Sequence, residues 1–164
     1  MLKKFDDYIF NATEGIRQSW LRNVLYLFSF NPKGMYLVLL LINFIFLQNT
    51  ILLNILVFFA GDIFIWVLKR IIRRTRPVKP SDSLFKKIIG LGPDQFSFPS
   101  AHTFTAFQIL PLCFSINSYF GILVGVYACL VALSRIILKH HYASDVFASI
   151  PLGIISGLLN IILI

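Results

Sequence analysis

Five apolar runs, at about 34–48, 51–72, 101–117, 119–138 and 144–164, take up most of this chain. A helix needs roughly 17–25 apolar residues to cross a hydrocarbon core. In lipid only helices and closed barrels satisfy every backbone N–H and C=O. Runs of this length, joined by polar stretches, predict an all-α fold: an integral membrane helical bundle of about five transmembrane helices. The first run is short and must borrow its flanks. The tight connections at 49–50 and 117–118 then lie on one side of the bilayer. The N-terminus and the 73–100 and 135–144 connections lie on the other.

The segment before the first run reads differently. Lys3 and Lys4 are followed at once by Asp6 and Asp7, and no apolar core with a small-residue cleavage site comes after them, so it does not read as a signal peptide. Phe5, Tyr8, Ile9 and Ala12 recur at helical spacing, as do Trp20, Leu21, Val24, Leu25 and Phe28. These predict amphipathic helices lying in the membrane interface, with Trp20 at headgroup depth. Asn31-Pro32 breaks the pattern. The expected organisation is a single unit, 1–164, with an interfacial region at 1–32 and a transmembrane core at 33–164.

Charge limits the partners. Only 13% of residues are charged, against about 25% in a typical soluble domain. The net charge of +8 has no soluble face on which to track a nucleic acid. All fifteen Lys and Arg fall on the side of the long connections or at its edge. The bilayer and a phosphorylated lipid are the expected partners, with no nucleic acid and no obligatory protein partner. Cys113 and Cys129 lie within apolar runs and read as small buried hydrophobes.

Three polar stretches meet at that basic side. The first is Lys69-Arg70-Ile71-Ile72-Arg73-Arg74-Thr75-Arg76-Pro77, in which Lys69, Arg73 and Arg76 share one face if the helix continues until Pro77 disfavours it at Arg76. Asp62, two turns before Lys69, is costly within a span and is placed to support that side of a site. The second is Phe96-Ser97-Phe98-Pro99-Ser100-Ala101-His102-Thr103, where Ser100 is a natural N-cap and His102 lies in the first turn beside free N–H groups. The third is Ser134-Arg135-Ile136-Ile137-Leu138-Lys139-His140-His141-Tyr142-Ala143-Ser144-Asp145. Arg135 offers a planar fork for phosphate oxygens. His141 and Asp145 are four apart, so in a helix the carboxylate can orient the imidazole.

Together the three stretches resemble the motifs of the type-2 phosphatidic acid phosphatase superfamily. The first motif, Lys, six residues, Arg-Pro, is matched by Lys69 with Arg76-Pro77. The second, Pro-Ser-Gly-His, is matched by Pro99-Ser100-Ala101-His102. The third, Ser-Arg, five residues, His, three residues, Asp, is matched by Ser134-Arg135, His141 and Asp145. Ala101 stands where the motif has Gly, and five spans stand where membrane members commonly have six.

The resemblance implies a phosphohydrolase that works through a phosphohistidine. His141 would be the nucleophile, Asp145 would hold its other nitrogen, and His102 would be the general acid and then the general base. Lys69, Arg76 and Arg135, with Ser100 and the backbone around Ala101, would bind phosphate. It implies no cofactor and no metal, in keeping with carboxylates too scattered for Mg²⁺. His140 reads as a flank. Undecaprenyl diphosphate, lipid A 1-phosphate, phosphatidylglycerophosphate and phosphatidate are the substrates that bacterial relatives would suggest. The expected location is a bacterial inner (plasma) membrane, multi-pass. The positive-inside rule would place the basic side in the cytoplasm. The resemblance places the site on the periplasmic or extracytoplasmic face and is given the greater weight, because Lys69, Arg76 and Arg135 are there to hold phosphate.

Three other readings compete. Cys129 and Arg135 have Cys-x5-Arg spacing, but Leu130-Val131-Ala132-Leu133-Ser134 reads as helix, with no glycine for an amide cradle. A vanadium haloperoxidase would share the superfamily's site but calls for a sizeable soluble domain. A non-enzymatic lipid-binding or channel-like protein explains the apolar runs but not three spaced His/Arg/Asp motifs.

Overall fold

The computed structural model of the chain describes residues 2–14, 16, 19–29, 41, 50–78 and 96–163. Every regular element among the described residues is helical: α1 (Leu2–Glu14), α2 (Ser19–Ser29), α3 (Ile51–Ile72), α4 (Ala101–Ile116), α5 (Ser118–Ile137) and α6 (Ala143–Leu163). An isolated antiparallel bridge joins Thr75 to Phe96. The expected span at 34–48 and the amphipathic piece at 84–89 lie outside the described residues. The other four apolar runs became helices within a residue or so of the expected ends.

Helix α4 is the centre of the bundle. Its side chains from Thr103 to Ile109 and from Pro111 to Cys113 are buried, on all faces rather than one. It packs chiefly against α5 and α6. The contact with α6 is a backbone contact. A Cβ on Gly153 would stand 2.5 Å from the Phe104 carbonyl oxygen, and one on Gly157 would run into the Gln108 carbonyl. The two glycines are four apart, one turn, so they form a small-residue groove against which α4 lies. Hydrophobic burial gives membrane helices little reason to associate, so close backbone packing has to do much of that work.

Two polar pairs inside the bundle join its helices. Asn160 Nδ2 donates to Asn54 Oδ1 at 2.6 Å, tying α6 to α3. Gln108 Nε2 donates to Ser156 Oγ at 2.9 Å, tying α4 to α6. At the opposite end from the basic stretches, Asn117 separates α4 from α5, and its Oδ1 accepts the Tyr119 and Phe120 N–H groups at 2.8 and 3.3 Å. That is an N-cap, and it explains how the two apolar runs form separate helices with a single residue between them.

Among the described residues, α5 and α6 are long and apolar enough to cross a membrane. Their outer faces expose Leu123, Val126, Phe147, Ile155, Leu158 and Ile162, as a lipid-facing surface requires. The N-terminal helices are amphipathic as expected, and Trp20 is exposed. They also dock on the bundle. Leu25 of α2 is buried, and the Phe28 ring meets the Tyr127 ring of α5 at 5.8 Å. Helix α1 lies against α6 and α5 and buries Asp6.

Candidate active site

Helix α3 presents Lys69, which is 4% exposed, and then stops. Arg73 adopts a left-handed conformation at φ 51°, and its N–H returns to the Lys69 carbonyl at 2.9 Å. The sequence-based expectation of one helical face carrying Lys69, Arg73 and Arg76 is therefore corrected. The helix ends at Ile72, because the chain beyond it pairs with the segment before α4. Ser97 N–H donates to the Arg74 carbonyl at 2.7 Å, Ser97 Oγ to the Thr75 carbonyl at 3.0 Å, and Lys69 Nζ to the Phe96 carbonyl at 3.0 Å. The first two polar stretches are thus sewn together by backbone.

The second stretch turns into α4 through a cis Phe98–Pro99 peptide bond. Ser100 is fully buried at the N-cap position. Its hydroxyl does not cap a backbone N–H as expected; it pairs with Thr103 Oγ1 at 3.0 Å. Its own N–H donates to Ser149 Oγ of α6 at 2.8 Å, and Ser149 Oγ donates to the Asp145 carbonyl at 2.7 Å. The start of α4 is held against the start of α6. Ala101 and His102 follow, both partly exposed, at the end where the first N–H groups of a helix lack intrahelical partners.

The third stretch folds as a tight turn after α5. Arg135 is 5% exposed in the last turn of α5. Its carbonyl accepts both the His140 and His141 N–H groups at 3.1 Å, and Lys139 takes a left-handed φ of 58°. Arg76 reaches this turn and donates to the His140 carbonyl at 3.3 Å. His141 is 3% exposed. Its Nδ1 lies 2.7 Å from the Ser97 carbonyl oxygen and 3.8 Å from Asp145 Oδ2.

A carbonyl can only accept, so Nδ1 carries the proton and Nε2 keeps the lone pair. The expectation that Asp145 holds this nitrogen is modified: a main-chain oxygen makes the short bond, and Asp145 stands at ion-pair distance behind it. Burial, reinforced by the positive charges of Arg76, Arg135 and Lys69, holds the His141 pKa well below its ordinary value. The imidazole is therefore neutral at neutral pH, the form in which a histidine can act as a nucleophile. Arg135, His141 and Arg76 also act electrostatically on His102. Residues from all three stretches share one locality.

Sequence reasoning missed several neighbours. Arg74 donates from NH1 to Asp145 Oδ1 at 2.6 Å and from NH2 to Asp6 Oδ2 at 2.6 Å. Asp145 Oδ2 accepts the Tyr142 N–H at 3.0 Å. Ser97, Ser144 and Ser149 complete the surroundings. The one usable signal was Asp6. It lies on the same α1 stripe as Ile9, Phe10 and Thr13, at i, i+3, i+4 and i+7, where an acid is out of place unless something pairs with it.

Comparison with known proteins identifies the family. The family model for the PAP2 superfamily matches residues 34–163. Phosphatidylglycerophosphatase B of Bacillus subtilis (strain 168) is 29% identical over 167 aligned positions, which cover 92% of this chain and 78% of that protein. The crystal structure of a transmembrane PAP2-type phosphatidylglycerolphosphate phosphatase from Bacillus subtilis superposes with a TM-score of 0.79 at 27% identity, over 98% of this chain and 85% of that one. Aquifex aeolicus LpxE superposes with a TM-score of 0.75 at 26% identity, over 94% and 93% of the two chains. A family match spanning most of the chain, three ordered motifs and a shared helical architecture lead to one conclusion: the chain belongs to the PAP2 superfamily of phosphatases.

Proposed function

We propose that this protein removes a terminal phosphate from a membrane lipid through a phosphohistidine at His141. The observation that carries this reading is the Nδ1 bond to the Ser97 carbonyl. It leaves Nε2 as the attacking nitrogen in a site made positive by Lys69, Arg76 and Arg135. Nε2 attacks phosphorus in line, the bond to the lipid oxygen breaks, and His102 donates a proton to that oxygen. His102 then takes a proton from water, whose oxygen attacks phosphorus as the P–N bond breaks. Lys69, Arg76 and Arg135, with Ser100 and the N–H groups at Ala101, hold the non-bridging oxygens through both steps. Asp145 steadies the imidazolium that attack creates. No metal or cofactor takes part in this scheme.

The substrate class follows from the setting. A site at the end of an apolar bundle suits a phosphate at headgroup level with its acyl or isoprenyl chain in lipid. Phosphatidylglycerophosphate is the first candidate, supported by the names of the Bacillus relatives. Lipid A 1-phosphate, undecaprenyl diphosphate and phosphatidate follow. The protein spans a bacterial plasma membrane with about five helices and opens its site on the extracytoplasmic face.

The test is phosphate release from these lipids by purified protein in detergent micelles, with vanadate and with exhaustive chelation as separate arms. Release that vanadate blocks and chelation spares supports the reading. Release that depends on added Mg²⁺ or Zn²⁺ overturns the mechanism, and no release from any of these lipids overturns the function.

A further inference from the structure

Helix α1 lies outside the three motifs, yet it is pinned to the loop that carries His141 at two points. Lys139 Nζ donates to the Phe10 carbonyl and to Thr13 Oγ1, the latter at 2.9 Å, and its ammonium stands 3.5 Å from the centre of the Phe10 ring. The second point is Asp6. Its Oδ1 accepts the Ser144 N–H at 2.9 Å, and its Oδ2 accepts Ser144 Oγ at 2.7 Å and Arg74 NH2 at 2.6 Å. Arg74 NH1 in turn donates to Ser144 Oγ and to Asp145 Oδ1, both at 2.6 Å. The guanidinium stacks over the Tyr142 ring at 4.2 Å. Asp6, Ser144 and Arg74 close a ring of charge-assisted hydrogen bonds, and Arg74 extends it to the Asp145 carboxylate.

We infer that Asp6 is a positioning residue of the phosphatase site: through Arg74 and Ser144 it fixes where the Asp145 carboxylate stands relative to His141. This rests on the phosphatase reading above. Asp6 is 2% exposed, so it does not meet the substrate. A helix needs only apolar contact to dock, and burying a carboxylate is costly unless it is fully paired. Here both carboxylate oxygens are paired, and every partner also touches Asp145 or adjoins it in sequence. Burial alone would raise the Asp6 pKa, but the hydrogen bonds from Arg74 and Ser144 outweigh it and hold the carboxyl below its ordinary value, so it is ionised at neutral pH.

Arg74 is shared between two carboxylates, one from each side. Without Asp6 both arms of its planar fork can turn onto Asp145, drawing that carboxylate away from His141 Nδ1. Lys69 and Arg76 donate instead to the Phe96 and His140 carbonyls, at 3.0 and 3.3 Å, and the ring reaches the site through Asp145. The consequence therefore falls on turnover and not on binding.

The experiment measures kcat and KM of the full-length protein in detergent micelles on phosphatidylglycerophosphate, lipid A 1-phosphate, undecaprenyl diphosphate and phosphatidate, with wild type and His141→Ala alongside. Asp6→Asn is expected to lower kcat by roughly tenfold to 10²-fold, as displacement of a catalytic group does, and to leave KM within about twofold. Asp6→Glu is expected to recover part of that loss. Arg74→Lys is expected to lower kcat similarly, and the Asp6→Asn/Arg74→Lys pair to be no worse than the weaker single variant, because both act through one ring. A folded Asp6→Asn protein with wild-type kcat, a rise in KM alone, or additive losses in the double variant overturns the inference. If Asp6→Asn does not fold, wild-type kcat in Arg74→Lys overturns it and a lowered kcat with unchanged KM supports it. An active wild type, silenced by His141→Ala but indifferent to Asp6→Asn, overturns this inference alone; an inactive wild type overturns the phosphatase reading together with it.

Discussion

The Nδ1 of His141 and the carbonyl oxygen of Ser97 are 2.7 Å apart although 44 positions separate them in the chain. This bond joins the turn after α5 to the segment before α4, and it sets the tautomer of the imidazole with a main-chain group. A side-chain substitution at position 97 leaves that acceptor in place. Asp145, at 3.8 Å from the same nitrogen, acts on the imidazole mainly through its charge.

His141 and Asp145 should therefore differ in the size of their effects. His141→Ala removes the proposed nucleophile and is expected to cut kcat by more than the 10²–10⁴-fold typical of lost acid–base catalysis. Asp145→Asn keeps the shape and the Ser97 bond and is expected to cost less, on the order of 10²-fold. Single-turnover phosphate release from folded variants checks this. Equal losses in the two would place the orienting role on Asp145 rather than Ser97.

The pH profile follows from the His141 environment. Burial, then Arg76, Arg135 and Lys69, depress its pKa, so the neutral, attacking form persists below the ordinary histidine value of 6.5. The acidic limb of kcat/KM is expected below pH 6.5. Stability runs the same way. A folded-state pKa below the unfolded one means that the unfolded chain binds more protons as pH falls past the unfolded value, so this contribution is complete above it and declines below it. Steady-state rates and thermal melts across pH 4–8 test both statements; an acidic limb at or above the ordinary value contradicts the first.

Gly157→Val should loosen the bundle far from the chemistry. Its side chain would enter the Gln108 carbonyl and the Pro111 ring of α4. Overpacking of this kind costs about 1–3 kcal/mol, and the obstacle here is backbone, which yields least. A lowered melting temperature in detergent is expected, with KM little changed. A wild-type melting temperature would mean that α4 and α6 are not in backbone contact.

Membrane sidedness can be read from α1, whose Asp7 is exposed and which docks at the same end as the motifs. With Cys113 and Cys129 replaced, Asp7→Cys is expected to react with a membrane-impermeant thiol reagent in intact cells. Labelling only after the cells are opened would place the site in the cytoplasm, as the positive-inside rule alone suggests.

Much of the proposed site was legible before any coordinates. Lys69, Arg76, Ser100, Ala101, His102, Arg135, His141 and Asp145 stand at motif spacings, and a spacing survives in the sequence because each motif lies within one short stretch at a helix end. The runs that became α3, α5 and α6 were legible for a related reason. Lipid leaves a spanning chain few options besides helix, so hydropathy alone nearly specifies the element.

Tertiary structure decided what depends on backbone atoms and on distant partners. The apolar run ends at Ile72, but the left-handed turn at Arg73 comes with the pairing of Arg74 and Thr75 with Ser97, where the sequence pointed to Pro77 as the helix breaker. The Ser97 carbonyl is a group every residue possesses, so its role as the His141 partner leaves no mark in residue type. Asp6 and Arg74 lie 68 positions apart and meet only because α1 docks beside α6. A sequence records which groups a chain carries and how its near neighbours alternate; the folding of α1 and the α3–α4 connection onto the third motif determines which of those groups meet.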